Sequence, residues 1–429
     1  MRSLNVTYIL LHFPFLTETF VAEEINAIQR QGINVKIISL LEPRRGPVQP
    51  LSRQLLAQTW YAPGFLEFSL WLTQLHFFFR APVRYLSLLW QLLRQPCRRR
   101  PISLLAKRLA IFLKAVAVAY HLRDSATDLL HSHFAWLSGA ATWVVARLLG
   151  LPFTVTVHAY DIYASDDLLG LVCGEANHVV AISEYNRGYV IAATKRKVVD
   201  ISVIHCGVDL EKLKRRPIQG PGSGRDSLRI LSVGSLVAKK GHTYLIGACH
   251  LLKEQGLDFK CTIIGSGPDE GRLVKQIREH GLEDDVTLRG ACPHPEIVMA
   301  YYDHDVFVLA SIVARGGDRD GIPVVLMEAG AAGLALISTE VSGIPELVRH
   351  KQTGWLTPSG DTVALARAII YVASDPCLRT RLGQNARAFV EVEFSIESNG
   401  ARLAELFQRI HATNRSDPSG SYSLQKSGS

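Results

Sequence analysis

Short apolar runs recur along this chain, separated by helical stretches. In the first half they occupy 6–11, 35–40, 129–132, 153–157, 178–182 and 201–204. In the second half they occupy 228–234, 260–265, 286–289, 306–310 and 335–338. A strand that is apolar at consecutive positions is covered on both faces, and such strands alternating with helices predict parallel α/β sheets. The first run follows Met1-Arg2 closely, as an export signal would. It lacks a small-residue cleavage site and leads into Thr17-Glu18-Thr19-Phe20, a helix start, so it is read as a buried strand. A chain of 429 residues exceeds one ordinary core. Two successive α/β domains are predicted, at 1–216 and 228–385. A linker at 217–227, rich in Gly and Pro, joins them. Helices over 386–412 are expected to pack back on the first domain, and the Ser/Gly-rich stretch 413–429 to be a disordered tail.

One segment breaks the pattern. Between 65 and 100, Phe65, Phe68, Trp71, Phe77, Phe78, Phe79, Tyr85 and Trp90 alternate with arginines, and Arg98-Arg99-Arg100 closes the run. Arg80 and Pro82 divide it, leaving apolar stretches well short of the roughly 20 residues that span a bilayer. Two readings stand. It is a helical insertion that lies on an anionic membrane surface, or a helical pair buried in its own domain with the arginines facing water.

Charge sharpens this picture. Residues 1–216 hold 25 Lys+Arg against 15 Asp+Glu, and the remainder 22 against 24, so the net +8 resides in the first half. A surface of that sign suits nucleic acid or anionic lipid. The interleaved aromatics favour lipid, and no nucleic-acid partner is expected. Seven cysteines, scattered and without a C-x-x-C pair, point to a reducing cytoplasm and away from a disulfide framework or a zinc site.

The chemistry concentrates at Asp320-Gly321-Ile322-Pro323-Val324-Val325-Leu326-Met327-Glu328. Proline suits the first position of a helix, and the amides that follow, Val324 and Val325 among them, have no intrahelical partner. They carry the positive end of the helix dipole and suit a phosphate oxygen. Asp320 and Glu328 remain free to accept hydrogen bonds from sugar hydroxyls, so the segment reads as a nucleotide-sugar site. Val233-Gly234-Ser235 leads through Lys239-Lys240-Gly241 to a helix and brings a cation to a phosphate. Ile264-Gly265-Ser266-Gly267-Pro268 is a second strand-to-helix turn whose glycines let a ligand approach. In the first half, His158 and Asp161 follow the run at 153–157, and His133 ends the run before it. Ligands bind at the carboxyl ends of parallel strands. Asp303-His304-Asp305 has the D-x-D pattern of a metal site but directly precedes a buried strand, so it is read as a helix end and strand start.

In sum these motifs resemble the retaining glycosyltransferases of family 4. The matching residues are Gly234 to Gly241, Ile264 to Pro268, Asp305 to Leu309, Asp320 to Ala329, Gly343-Ile344-Pro345-Glu346-Leu347 and Gly354-Trp355-Leu356. Phe13-Pro14, Thr17-Glu18-Thr19-Phe20, Glu24-Ile25 and His158-Ala159-Tyr160-Asp161-Ile162-Tyr163 look like the subgroup that builds exopolysaccharides and colanic-acid-type polymers. The resemblance implies a GT-B fold, two Rossmann-like doubly wound domains facing each other across a cleft. It implies transfer, with retention, from a UDP- or GDP-sugar to a lipid-linked or oligosaccharide acceptor, without cofactor or metal, by an enzyme peripheral at the inner face of the membrane. Glu328 would hold the ribose and Asp320 the donor sugar. Lys240, Gly234, Ser235, Gly265, Gly267 and the segment Gly321–Val325 would line the diphosphate. His158 would contact the sugar near its anomeric carbon, and Thr17, Glu18, His133 and Asp161 are candidates on the acceptor side. Three positions depart from the family: Asp320 stands where Glu is usual, Ser235 where Arg is usual, and His12-Phe13-Pro14 where a Gly-Gly turn is usual. The missing arginine keeps a second reading open, a non-catalytic subunit that binds sugar nucleotides or a partner enzyme.

Overall fold

The computed structural model describes residues 3–14, 19–43, 50–96, 101–164, 168–194, 200–214 and 227–416. The chain divides into two compact units. One comprises Met1–Ile182, Asn186–Ile204 and Asn399–Ser429, the other Ser183–Tyr185 and His205–Ser398.

The first unit holds seven strands: β1 (Asn5–His12), β2 (Asn34–Leu41), β3 (Thr59–Tyr61), β4 (Leu129–His133), β5 (Phe153–Val157), β6 (His178–Ala181) and β7 (Ile201–Val203). They form one parallel sheet in the order β3-β2-β1-β4-β5-β6-β7. The second unit holds six: β8 (Leu228–Val233), β9 (Phe259–Ile264), β10 (Val286–Gly290), β11 (Val306–Leu309), β12 (Ala335–Thr339) and β13 (Gly354–Thr357). Their order is β10-β9-β8-β11-β12-β13, again parallel. Each is a doubly wound Rossmann-like sheet whose strand order reverses once, beside β1 and β4 in one unit and beside β8 and β11 in the other. The continuous apolar runs are therefore the strands, and β4, β5, β11 and β12 are buried at every position.

Two strands escape the apolar pattern. β3 is Thr-Trp-Tyr, half-exposed at a sheet edge. β13 opens on Gly354, where a Cβ would lie 2.6 Å from the Leu336 carbonyl oxygen, so close approach of a neighbour outweighs strand propensity there.

Most of the linker expected at 217–227 lies outside the described residues. The second unit begins earlier, at His205: Val208 bridges to Ser395, and the buried guanidinium of Arg387 donates to the carbonyls of Leu213 and Ala331. Nor does the chain return to the first unit at 386. Ala386 and Val390 belong to the core of the second unit, and the return comes at Asn399. The final helix, Ile396–Ser416, then sets Leu403, Ala404, Leu406 and Phe407 into the core behind β1 and β2. Helix continues through 413–416, and the rest of the expected tail lies outside the described residues.

The basic aromatic segment folds as helices Phe68–Arg80 and Pro82–Leu93, followed by Pro101–Leu122. One face is buried through Leu70, Phe77, Tyr85, Leu88 and Leu92. The other exposes Phe68, Trp71, Phe79, Val83, Trp90 and Ile102, with Phe79 at 76% and Ile102 at 84%. The described arginines of segment 65–100 do face water, as the buried-pair reading expects, but most of its large rings face water as well. Arg108 is fully buried and donates 2.7 Å bonds to the carbonyls of Gln95 and Pro96, while the large rings face out beside exposed Arg80, Arg84, Arg94 and Lys107. No helix of the described residues is long and apolar enough to cross a membrane.

Phe407 ties the last helix to the first unit, fully buried and 5.1 Å from the His131 ring. Phe407→Ala removes a large core side chain and is expected to lower stability by about 3–5 kcal/mol. Denaturant unfolding followed by circular dichroism checks it.

Candidate functional site

In the second unit the site begins where β8 ends. Gly234 lies under the stem of Lys240, whose Cδ would be 3.3 Å from an added Cβ. Gly241 has φ +67, and a Cβ there would meet the Ala310 carbonyl oxygen at 1.7 Å. Only glycine lets the loop turn against the end of β11 this closely. That turn aims two lysines at the loop that leaves β11. Lys240 Nζ donates to Asp320 Oδ2 at 2.7 Å, with both side chains largely shielded from water. Lys239 Nζ donates to Asp318 Oδ1 at 3.1 Å and lies 3.7 Å from Asp320 Oδ1. Two cations and two carboxylates thus balance one another where the strand order reverses, the usual place for a ligand in an open α/β sheet. Beneath them His242 opens the next helix; burial, then the charge of Lys240, pushes its imidazole down to about 4.

The helix after Asp320 is Val324–Ala332, and Pro323 is its N-cap with ψ 128, one residue earlier than the first-turn position read from the sequence. Ile322 is buried and Gly321 precedes it, so the first amides of the helix, Val324 and Val325, follow directly on the lysine–aspartate cluster. Inside this helix Glu328 is held from two sides. Tyr301 donates to Oε2 at 2.8 Å, and His294 Nε2 lies 2.9 Å from Oε1. Burial, then the Glu328 charge, raises the Tyr301 phenol well above its ordinary value, so it keeps its proton and donates.

Gly265 and Gly267 have a different reason from the ligand approach read in the sequence. A Cβ on Gly265 would lie 2.0 Å from the Gly234 carbonyl oxygen, and one on Gly267 2.4 Å from that of Leu236. The glycines let two loops pack backbone to backbone, sealed by Gly234 N–H to Ile264 and Leu236 N–H to Ser266, each 2.9 Å. Ser235 stands exposed between them. Asp305 accepts from the Arg229 amide at 2.9 Å and His304 Nδ1 lies 2.7 Å from the Ala300 carbonyl, so Asp303-His304-Asp305 closes a helix and starts β11.

The first unit carries a second cluster at the corresponding edge. His133 ends β4 and His158 follows β5; both are buried, with His133 Nδ1 3.0 Å from His158 Nε2. Helix Thr19–Arg30 supplies Glu24, whose Oε1 lies 2.9 Å from His133 Nε2 and accepts from the Tyr8 hydroxyl at 2.9 Å. The His158 ring lies between Phe20, at 5.0 Å, and Phe134, at 4.5 Å. Phe134 holds φ +71, a conformation costly for a bulky side chain.

Two acceptor-side candidates change role. Asp161 is fully buried, and its oxygens accept from the amides of His158 at 2.8 Å and Ala135 at 2.7 Å, so it sets the backbone behind His158 instead of meeting an acceptor. His133 is likewise buried behind His158. Thr17 and Glu18 lie outside the described residues. At the position of the usual Gly-Gly turn, Phe13 is buried; its amide donates to Ser39 Oγ and its carbonyl accepts from the Tyr61 hydroxyl. Sequence reading missed Tyr8, Tyr301, His294 and Asp318, and took Glu24 only as part of the subgroup resemblance without a site role. The last had a signal, an Asp two residues before Asp320 with two adjacent lysines to pair.

Burial pushes the Asp161 carboxyl up to about 7, against the pull of the backbone amides. The folded state therefore holds this proton more tightly than the unfolded chain, and its ionisation costs stability as pH rises from about 4 to 7. Asp161→Asn turns an amide of its own toward a backbone N–H and is expected to cost about 1–3 kcal/mol. Because the variant lacks the titration, the gap from wild type should narrow between about pH 5 and pH 8. Denaturation midpoints at the two pH values measure it.

Two family models fit the chain in succession, one described as Glycosyltransferase Family 4 over residues 17–212, the other as Glycosyl transferases group 1 over 216–389. The amylovoran biosynthesis glycosyltransferase AmsK of Erwinia amylovora is 42% identical over 213 residues, 49% of this chain and 51% of that protein. The WcaL protein of Escherichia coli K12, named for colanic acid biosynthesis, is 41% identical over 211 residues, with the same shares. The chain spans about half the length of these curated relatives. Among solved structures, Anabaena Alr3699/HepE in complex with UDP superposes with a TM-score of 0.70 at 16% identity, covering 95% of this chain and all of that one. That likeness carries the fold, two Rossmann-like domains of the GT-B class.

Proposed function

Because the chain belongs to the family 4 glycosyltransferases, we propose that it moves a sugar from a nucleoside-diphosphate donor to a glycan acceptor in cell-surface polysaccharide biosynthesis. The carrying observation is the cluster of Lys239, Lys240, Asp318 and Asp320 beside the start of helix Val324–Ala332. A diphosphate competes with the aspartates for the lysines. Once Lys240 turns to a phosphate oxygen, Asp320 is released to accept from hydroxyls of the donor sugar. Negative charge grows on the diphosphate as the glycosidic bond breaks, and fixed donors aimed at it lower the barrier; one such donor is worth roughly 3 kcal/mol. Glu328, oriented by Tyr301, takes the ribose diol. Retention follows from attack on the face the diphosphate leaves, with a phosphate oxygen receiving the acceptor proton. The lysines and helix amides supply positive charge at the diphosphate without a metal ion. UDP in the related HepE makes UDP-sugars the first donors to try, with GDP-sugars next.

The same cluster bears on Ser235. Lys239, 3.7 Å from Asp320, is proposed as the second cation that compensates for the missing arginine. Lys239→Ala and Glu328→Gln are each expected to weaken UDP binding by about tenfold, roughly 1.4 kcal/mol. Ser235→Arg should change it little. Isothermal titration reads all three, and strong tightening by Ser235→Arg would show that Lys239 does not fill the role. Turnover of a panel of nucleotide sugars tests the reading as a whole. Binding without hydrolysis or transfer, with or without membranes, would leave a non-catalytic subunit.

The acceptor is proposed to be lipid-linked, met by an enzyme peripheral to the inner face of the membrane. Support comes from the exposed rings of Trp71, Phe79 and Trp90 beside Arg80, Arg84 and Arg94, a pairing of apolar and basic groups suited to anionic lipid. Replacing the three rings with Ala should abolish sedimentation with anionic vesicles and leave UDP affinity intact. Equal binding of the variant and wild type would exclude this face.

A further inference from the structure

The cluster of the first unit is a linear relay. A carboxylate only accepts hydrogen bonds, and Glu24 Oε1 faces two partners, the Tyr8 hydroxyl and His133 Nε2, each at 2.9 Å. Burial, then the Glu24 charge, keeps the Tyr8 phenol protonated, so it donates. His133 Nε2 must then carry its proton. In the neutral form of that ring the lone pair is on Nδ1, 3.0 Å from His158 Nε2. One proton fits between the rings, and with His133 neutral it belongs to His158 Nε2. The lone pair of His158 is left on Nδ1, for which no described residue is a partner.

We propose that Glu24 and His133 are positioning residues that lock His158 in the Nε2-protonated tautomer, so that its Nδ1 accepts a hydrogen bond from a sugar hydroxyl during transfer. This rests on the glycosyl-transfer reading for the hydroxyl, but not for the tautomer. Phe20 and Phe134 hold the ring from its sides, and the Asp161 carboxylate fixes the His158 amide, so little freedom remains except the position of the proton. A carboxylate at the far end raises electron density along both rings and strengthens Nδ1 as an acceptor.

Glu24, His131 and His133 also offer ligand atoms close enough together for one divalent ion. His131 has both nitrogens engaged, Nδ1 with Thr154 Oγ1 at 2.8 Å and Nε2 with Thr156 Oγ1 at 3.3 Å. The Glu24–His133 gap is closed by a proton. The hydrogen-bonded reading uses every atom as it stands.

The charged and titratable groups around His158 are His133, Glu24, His131 and, through the backbone, Asp161. Burial first, then His133, holds its pKa well below the ordinary range, and Glu24 pulls it up. Removing the Glu24 charge should therefore move protonation of Nδ1 to still lower pH.

The test joins a spectrum to kinetics on the full chain. Long-range ¹H–¹⁵N correlation of ring-labelled wild-type protein, assigned with His158→Phe, should show a lone pair at His158 Nδ1. A protonated Nδ1 overturns the proposal, and so does zinc that shifts the His131 and His133 ring nitrogens together. His133→Phe keeps a ring in the same volume and should lower kcat at least tenfold with UDP affinity unchanged. Glu24→Gln, whose amide oxygen still accepts from His133, should retain most of the rate but move the acid limb of the pH–rate profile toward lower pH. A His133→Phe enzyme with full kcat, or an unmoved acid limb in Glu24→Gln, overturns it. Absence of turnover by the wild type with every donor would overturn the transfer reading instead, and the ring-nitrogen spectrum would still decide the tautomer.

Discussion

A chain that runs two neighbouring strands in parallel must return across a face of the sheet before the second begins. Every loop leaving a carboxyl end therefore leaves from the same edge. Where the strand order reverses, the connections depart to opposite faces and leave room between them. Both polar clusters of this protein sit at such a place. Lys239 and Lys240 leave β8 and meet Asp318 and Asp320 leaving β11. Glu24 follows β1 and meets His133 at the end of β4. Residues 79 to 109 positions apart in sequence become hydrogen-bonding neighbours because parallel pairing leaves them no other edge.

Those clusters solve an electrostatic problem before any ligand arrives. Four charged groups in a half-buried space are costly one by one and tolerable as a balanced set. The lysine–aspartate pairs hold their geometry by satisfying one another, and an incoming anion finds cations already placed. Glu328 is managed by another means, a buried phenol that keeps its proton and donates it to the carboxylate. The histidine relay uses a third, in which the surplus of one group is the deficit of the next.

Legibility in the sequence follows from how local each feature is. Apolar residues at consecutive strand positions leave continuous runs, so eleven strands stand out, while Thr59–Tyr61 and Gly354–Thr357 are too short and too mixed. Lys240 and Asp320 stand out because each sits on a strand-to-helix turn with its own glycine, and Glu328 because it follows inside the helix that Pro323 caps. Tyr301, His294 and Tyr8 do not, since each is an ordinary helix or strand residue until packing brings it to a partner; Glu24 stands out only as a residue of the subgroup motif, without its partners. Gly265 and Gly267 were legible as close approaches, but a sequence does not say whether the approaching group is a ligand or another loop. Asp161 was misread for a related reason: a carboxylate after a strand looks the same whether it meets solvent or two buried amides. The domain boundary was placed by composition, whereas the fold places it by pairing, as Val208 with Ser395 shows.

The helices Phe68–Arg80, Pro82–Leu93 and Pro101–Leu122 leave one more consequence. Trp71, Phe79, Val83, Trp90 and Ile102 form a water-facing apolar display larger than isolated surface residues make. Rings in that position exact a hydration cost at every moment they stay bare. In dilute aqueous buffer the molecules have only each other to relieve it, so the protein's colloidal behaviour, its tendency to clump, stick to surfaces or clear up in mild detergent, is written into three helices remote in sequence from the lysine–aspartate cluster.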